Sequence, residues 1–207
     1  MRFRLLLGST LVLAAPLASA QEWDWTLTPY LWASGIDGDA SVGPVQADLS
    51  VNFGDIVDVL AGAALMHVEA QTDDHGYFGD LVYLATEIDE ERVRTELDTT
   101  IVELGYLRRT SRIGLEFGIR YWDFDLEIDP TTLPTAQGES DWVDGFVGIR
   151  SVRELGDKWN LTTRANIGAG GTDFTYGVGV IFGREIGSSG QFVAGLKLLD
   201  IDYEDTT

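Results

Sequence analysis

The sequence predicts an all-β fold closed as an antiparallel transmembrane barrel, and three observations carry that reading. Polar and apolar residues alternate with period two along nearly the whole chain. Glycine is abundant, 24 of 207 residues against only 5 prolines, with no collagen-like period, so the excess serves backbone geometry. Beyond the first twenty residues no window approaches the ~20 apolar residues of a spanning helix, so a membrane-embedded version of this chain must cross as strands.

The elements follow in order. Met1 to Arg4 supplies a positive start, Leu5 to Leu17 an apolar stretch and Ala18-Ser19-Ala20 a small-x-small site, which together read as a signal peptide over 1–20 cleaved before Gln21. Residues 21–207 are then one exported barrel domain. Losing Arg2 and Arg4 leaves 12 basic against 34 acidic residues, a net charge of −22.

The first mature strand places Trp23, Trp25, Leu27, Pro29 and Leu31 on one face and Thr26, Thr28, Tyr30 and Trp32 on the other. If the short turns face the periplasm and a final strand is missing, residues 23 to 53 cross three times, with turns near Gly35 to Gly38 and at Gly43-Pro44, whereas a single long first strand would break that count. Phe53, Ile56, Val57 and Leu60 have helical spacing, which predicts one short helix near 53–60.

Alternation resumes with Ala64, Met66, Val68 and Ala70 opposite His67, Glu69 and Gln71. It is cleanest where Ile113, Leu115, Phe117, Ile119 and Tyr121 oppose Gly114, Glu116, Gly118, Arg120 and Trp122. Similar splits follow at 143–150, 159–167, 174–182 and 192–198.

Short turns are expected at Thr72 to Gly76, Arg108 to Arg112, Glu154 to Lys158 and Arg184 to Gly190. Longer acidic connections are expected at Glu87 to Glu91, at Asp129 to Asp141 and after Asp202. About ten or eleven strands are visible, with twelve expected in a complete barrel.

A soluble sandwich also alternates, so the second face decides. Here it carries Gly114, Gly118, Gly148, Gly168, Gly177 and Gly179 with single charges among them, which suits the crowded inside of a closed barrel. Leu115, Phe117 and Ile119 then face lipid. Trp23, Trp25, Tyr77, Tyr106, Tyr121 and Trp159 lie near strand ends, as an interfacial aromatic girdle requires. The same assignment turns Glu69, Asp80, Glu103, Glu116 and Asp144 inward with Arg120, Arg150, Arg164 and Lys197.

Four segments carry a family resemblance: Pro29 to Gly38 (PYLWASGIDG), Arg120 to Glu127 (RYWDFDLE), Asp141 to Arg150 (DWVDGFVGIR) and Leu199 to Glu204 (LDIDYE). They resemble a widespread group of uncharacterised, porin-like outer-membrane β-barrel proteins of Gram-negative bacteria. The resemblance covers nearly the whole mature chain and implies location and fold, not an activity. It also implies a last strand ending in an aromatic residue, the signal read by barrel-assembly machinery. This chain ends in Asp205-Thr206-Thr207, so a missing final strand is expected.

Several function classes fall away. A pI near 4.2 disfavours nucleic acid as a partner. No cysteine and two histidines leave little material for a metal centre or a cofactor, and none is expected. Five inward acids against four bases favour a salt-bridged lumen and a structural or passive role. The alternative is a small polar-solute channel, with Arg120, Arg150 and Arg164 on one wall favouring anions. A second alternative, a lipid-modifying enzyme, would use His67 beside Glu69, but no serine shares their alternation and no nucleophile-elbow motif appears. No catalytic residue is therefore assigned. The acidic clusters Asp89 to Glu91, Asp123/Asp125/Glu127 and Asp200/Asp202/Glu204 lack EF-hand spacing and read as a solubilising rim. Weak cation bridging to lipopolysaccharide phosphates is their alternative role. Lipid, lipopolysaccharide and the assembly machinery are the expected partners.

Overall fold

The computed structural model describes residues 2–7, 12–17, 23–30, 34–42, 45–51, 60–90, 93–110, 113–132, 134–186 and 190–202. Every regular element among them is a strand: β1 (Arg2–Leu7), β2 (Val12–Leu17), β3 (Asp24–Pro29), β4 (Ser34–Val42), β5 (Val45–Val51), β6 (Leu60–Gln71), β7 (His75–Glu90), β8 (Val93–Arg109), β9 (Gly114–Pro130), β10 (Ala136–Glu154), β11 (Trp159–Gly170), β12 (Phe174–Ile186) and β13 (Gly190–Asp202). The helix expected near 53–60 falls mostly on 52–59, outside the described residues; Leu60 itself opens β6.

Nine strands make one curled antiparallel sheet in the order β3, β6, β7, β8, β9, β10, β11, β12, β13. Eight successive antiparallel pairings separate β3 from β13, so these two run in the same direction. An antiparallel ring therefore needs another strand between them. Val12–Leu17 of the expected leader stands there, bonded to β13 on one side and β3 on the other. Strands β4 and β5 pair with each other, and β4 with β1; neither enters the ring between β3 and β6, which bond directly. The expectation of three crossings within 23–53 is thus not met. Twelve ring strands are not seen either.

The tight turns fall where Gly, Asp, Ser and Thr cluster. Thr72 bonds back to His75, and Thr110 to Ile113, closing two of them. At the other end the strands run further than the acidic composition suggested. Glu87 to Glu90 belong to β7, and Ala136 to Asp141 to β10. Glu87 and Asp89, like Glu139 and Asp141, occupy alternate positions on one face, a period that suits an extended backbone.

The tall strands β7 to β10 overtop β11 and β12, whose connection lies level with Asp144, the register partner of Gly170. Low on the wall, outward positions are apolar and exposed, including Leu104, Leu115, Phe117, Ile119, Val143, Val147, Ile149, Ile167, Val178 and Val180. From Ile113 to Tyr121 this belt runs about 27 Å along the strand at ~3.4 Å per residue. A tilt near 40° turns that into roughly 21 Å of height, close to the ~25 Å apolar band of outer-membrane barrels.

Above Tyr121 the polarity inverts without any change of period. On β9 the outward series becomes Asp123, Asp125, Glu127 and Asp129, while Trp122, Phe124, Leu126 and Ile128 are buried on the inner face. On β8 Asp98 and Glu96 face out, and Ile101, Thr99, Leu97 and Thr95 are buried inside.

Candidate functional site: the charged lumen

The inner face of the belt region starts from a packing device. One cross-strand row reads Glu69, Phe78, Gly105, Gly118, Phe146, Gly168. A Cβ on Gly105 would stand 2.2 Å from Cζ of Phe78, and one on Gly118 would stand 2.4 Å from Cζ of Phe146. The two glycines therefore make floor space over which the rings lie, and the rings in turn carry guanidinium groups. Arg150 and Arg164 each sit 5.0 Å from the Phe78 centroid, and Arg120 sits 5.1 Å from that of Phe146. Desolvated contacts of this kind contribute up to about 2 kcal/mol.

On these rings rests a ladder of alternating charge. Arg150 donates to Glu69 (2.6 Å) and to Glu116 (2.6 Å). Arg164 donates to Glu116 (2.5 Å) and to Glu103 (2.5 Å). Arg120 donates through Nε and Nη2 to Glu103 (2.9 and 2.7 Å). Its remaining donors reach Thr175 (3.0 Å) and Asn166 (2.9 Å). Glu116 is 0% exposed and Arg120 1%, so these ions have left water and rely on each other.

At the Glu69 end, His67 stands between two carboxylates, with Nδ1 3.0 Å from Asp80 and Nε2 3.3 Å from Glu69. Both ring nitrogens are thus engaged by carboxylate oxygens. Tyr30 donates its hydroxyl to the other oxygen of Asp80. At the top, Asp144 accepts from the indole of Trp122 (2.8 Å) and the backbone N–H of Thr172 (2.9 Å). It thereby joins the ladder's level to the aromatic core above, where Trp122, Phe124 and Trp142 stack at 5.4 to 6.2 Å.

Of the nine charges singled out in the sequence, the structure brings Glu69, Glu103, Glu116, Arg120, Arg150 and Arg164 into the ladder. Asp80 joins through His67, Asp144 stands against Trp122, and Lys197 lines the cavity alongside. That cavity, about 390 Å³, lies on the short-turn side of the ladder and includes Thr28, Tyr30, His67, Arg150, Asn166 and Lys197 in its lining.

Sequence reasoning missed Tyr30 as a ligand of Asp80, and Phe78 and Phe146 as supports. It placed Trp122 on the inner face but did not follow the buried series on through Phe124, Leu126 and Ile128. The last was visible as W-D-F-D-L-E-I-D over 122–129, an unbroken period of two with the sign reversed. The supports had no signal, because Phe78 and Gly105 meet only through register.

The aromatic residues divide by height. Trp23, Tyr77 and Tyr106 form a contiguous group at the short-turn end, with centroids 5.9 and 5.4 Å apart, and His75 packs against Trp23 at 5.2 Å. Trp25 is exposed beside Ala70, its register partner. Trp159, also exposed, lies under Arg184 at 5.2 Å. Tyr121 stands at the upper edge of the belt, and Tyr83, which the sequence did not single out, shares a row with Asp123 just above it, whereas Tyr176, beside Phe174, shares a row with Phe117.

Among the described residues no cluster suited to a metal ion occurs, and no helix is long and apolar enough to cross a membrane.

No family model and no curated protein matches the chain. Solved structures similar to it include the translocator domain of the autotransporter NalP from Neisseria meningitidis, 12% identical, with a TM-score of 0.41 over 99% of this chain and 89% of that one. The attachment invasion locus protein Ail of Yersinia pestis is 6% identical, with a TM-score of 0.40 over 97% and 99%. A porin is 8% identical, with a TM-score of 0.23 over 96% and 98%.

Proposed function

We propose that this chain is an exported outer-membrane β-barrel whose lumen is closed by its ion-pair ladder, with a structural or passive role. The observation that carries the proposal is the belt: apolar outside and charged inside over the height of a bilayer, then acidic outside and aromatic inside immediately above. Water on both sides would not select the exposed isoleucines, valines and phenylalanines of the lower wall, whereas hydrocarbon does. In this reading the aromatic residues at the belt's edges lie at the headgroups, and lipid, lipopolysaccharide and barrel-assembly machinery are the partners.

Removal of residues 1–20 on export would take Val12–Leu17 out of the ring. The antiparallel neighbour shared by β3 and β13 would then come from another segment.

Full-length expression in a Gram-negative host, followed by fractionation, tests the location. Recovery in the outer-membrane fraction with heat-modifiable gel migration is expected; a soluble periplasmic protein would overturn the proposal. Planar-bilayer recording tests closure, with no steady conductance expected. A second reading, passage of a small polar solute, is favoured by the cavity beside the ladder and would be supported by steady conductance or solute-dependent vesicle swelling. We assign no catalytic role to His67, since both its ring nitrogens are engaged by carboxylates and the described cavity lining includes neither serine nor cysteine.

A further inference from the structure

Among the described residues, the height difference between neighbouring strands leaves part of one sheet edge without a bonded strand, β4 coming near β10 without pairing with it. Strand β10 pairs with β9 along Ala136 to Arg150, but its pairing with β11 begins only at Asp144. On the side away from β9, no described strand pairs with Ala136 to Val143. The last bond across that edge runs from Gly171 N to the carbonyl of Val143, at 3.0 Å. In an antiparallel ladder, N–H and C=O of one residue point to the same side, and alternate residues alternate sides. Val143 therefore identifies Gln137, Glu139 and Asp141 as the residues that turn both backbone groups toward the open edge. All three are exposed.

Their side chains lie on the outward face, where carboxylates oppose one another directly. Asp141 stands across from Asp123, Glu139 from Asp125, and Asp125 in turn from Asp98. Like charges at directly opposed positions destabilise a sheet. Arg94, which pairs with Glu87 at 2.7 Å and Glu96 at 2.9 Å, lies two strands away from β10.

We propose that the Ala136 to Val143 edge of β10 accepts an extended cationic segment of a partner protein by strand addition. The partner's backbone would complete the ladder through Gln137, Glu139 and Asp141, and its alternate lysine or arginine side chains would lie over the acidic rows. A second copy of this chain fits badly, because it would bring another Glu139 and Asp141 against the first pair. The inference rests on register and charge, and stands whether or not the lumen conducts.

The test uses the full-length chain folded in detergent micelles, with heat-modifiable migration checked first so that a failed fold is recognised separately. The probe is a nine-residue peptide alternating valine and lysine, followed by fluorescence anisotropy. It should bind with an affinity that falls as salt rises. A twin N-methylated at alternate backbone nitrogens should bind at least tenfold more weakly, and a peptide with glutamate replacing lysine should not bind. Glu139→Pro removes an edge N–H without touching the bonds to β9, and should weaken the lysine peptide by a similar factor. Equal binding of the methylated twin would overturn strand addition, equal binding of the glutamate peptide would overturn the cationic choice, and absence of binding would overturn both.

Discussion

Strand β9 keeps one period throughout, yet its lower and upper halves carry opposite polarity. Below Tyr121, outward residues are Ile113, Leu115, Phe117 and Ile119, and inward ones are Glu116, Gly118 and Arg120. Above it, outward residues are Asp123, Asp125, Glu127 and Asp129, and inward ones are Trp122, Phe124, Leu126 and Ile128. The alternation specifies a strand in both halves, but only the sign of the alternation specifies the surroundings. A sheet that must meet hydrocarbon outside puts its charges within, where they are held by partners. The same sheet, once in water, reverts to the arrangement of a soluble protein.

The largest expected effect lies in the lower interior. Glu116→Ala removes the carboxylate shared by Arg150 and Arg164 and leaves two buried guanidinium groups short of a partner. Breaking a buried pair in this way costs about 3–5 kcal/mol. Urea unfolding in micelles, followed by tryptophan fluorescence, should show a loss of that size; a loss under ~1 kcal/mol would place the ladder in water, as surface pairs are.

The comparison is sharpest when one residue type is introduced on the same face of the same strand. Phe117→Arg should destabilise by about 2–4 kcal/mol if position 117 meets lipid near the midplane. Asp125→Arg, on the same outward face above the belt, should stabilise by about 0.2–1 kcal/mol per relieved neighbour, since Asp98 and Glu139 flank it. Equal effects in vesicle-inserted protein would erase the distinction between the halves.

The smallest effect concerns acid. Asp123 lies just above the belt, where partial desolvation first, and then the charges of Asp125 and Asp141, hold its carboxyl above the usual carboxylate value. A raised folded pKa means that the folded state keeps its proton where the unfolded state has lost it. Stability should therefore rise slightly as pH falls through the raised value toward the ordinary carboxylate value, and level off below it. The Asp123→Asn variant should flatten that slope in unfolding midpoints measured across pH 3–6, about the ordinary carboxylate value of ~4.

How far the sequence reached follows the same divide. The lower halves of β9 and β10 were legible face by face, because alternation of large apolar with small or charged residues has one reading. Glu103 and Arg164 could be placed on the inner face, but not in contact, since residues 61 positions apart meet only through the strand order. The acidic runs at 87–90 and 136–141 looked like loops, because acidic density was read in place of period. The Pro29 to Gly38 segment was read as part of successive crossings; yet β4 pairs with β5 and β1, a choice of neighbours that local pattern does not encode.

In the closed lumen proposed above, the ladder would also act as electrical insulation. From Tyr30 through Asp80 to His67 and Glu69 runs an unbroken line of hydrogen bonds, the kind of arrangement a proton relay needs. At Arg150 the relay stops, because a guanidinium does not give up its proton in a protein, and Arg164 and Arg120 repeat the break further along. A mobile ion arriving there meets charges already matched in sign and number by their neighbours. On the closed-lumen proposal, the level of Glu116 would be a dielectric gap, with the cavity on its short-turn side and the buried stack of indole and phenyl rings on the other.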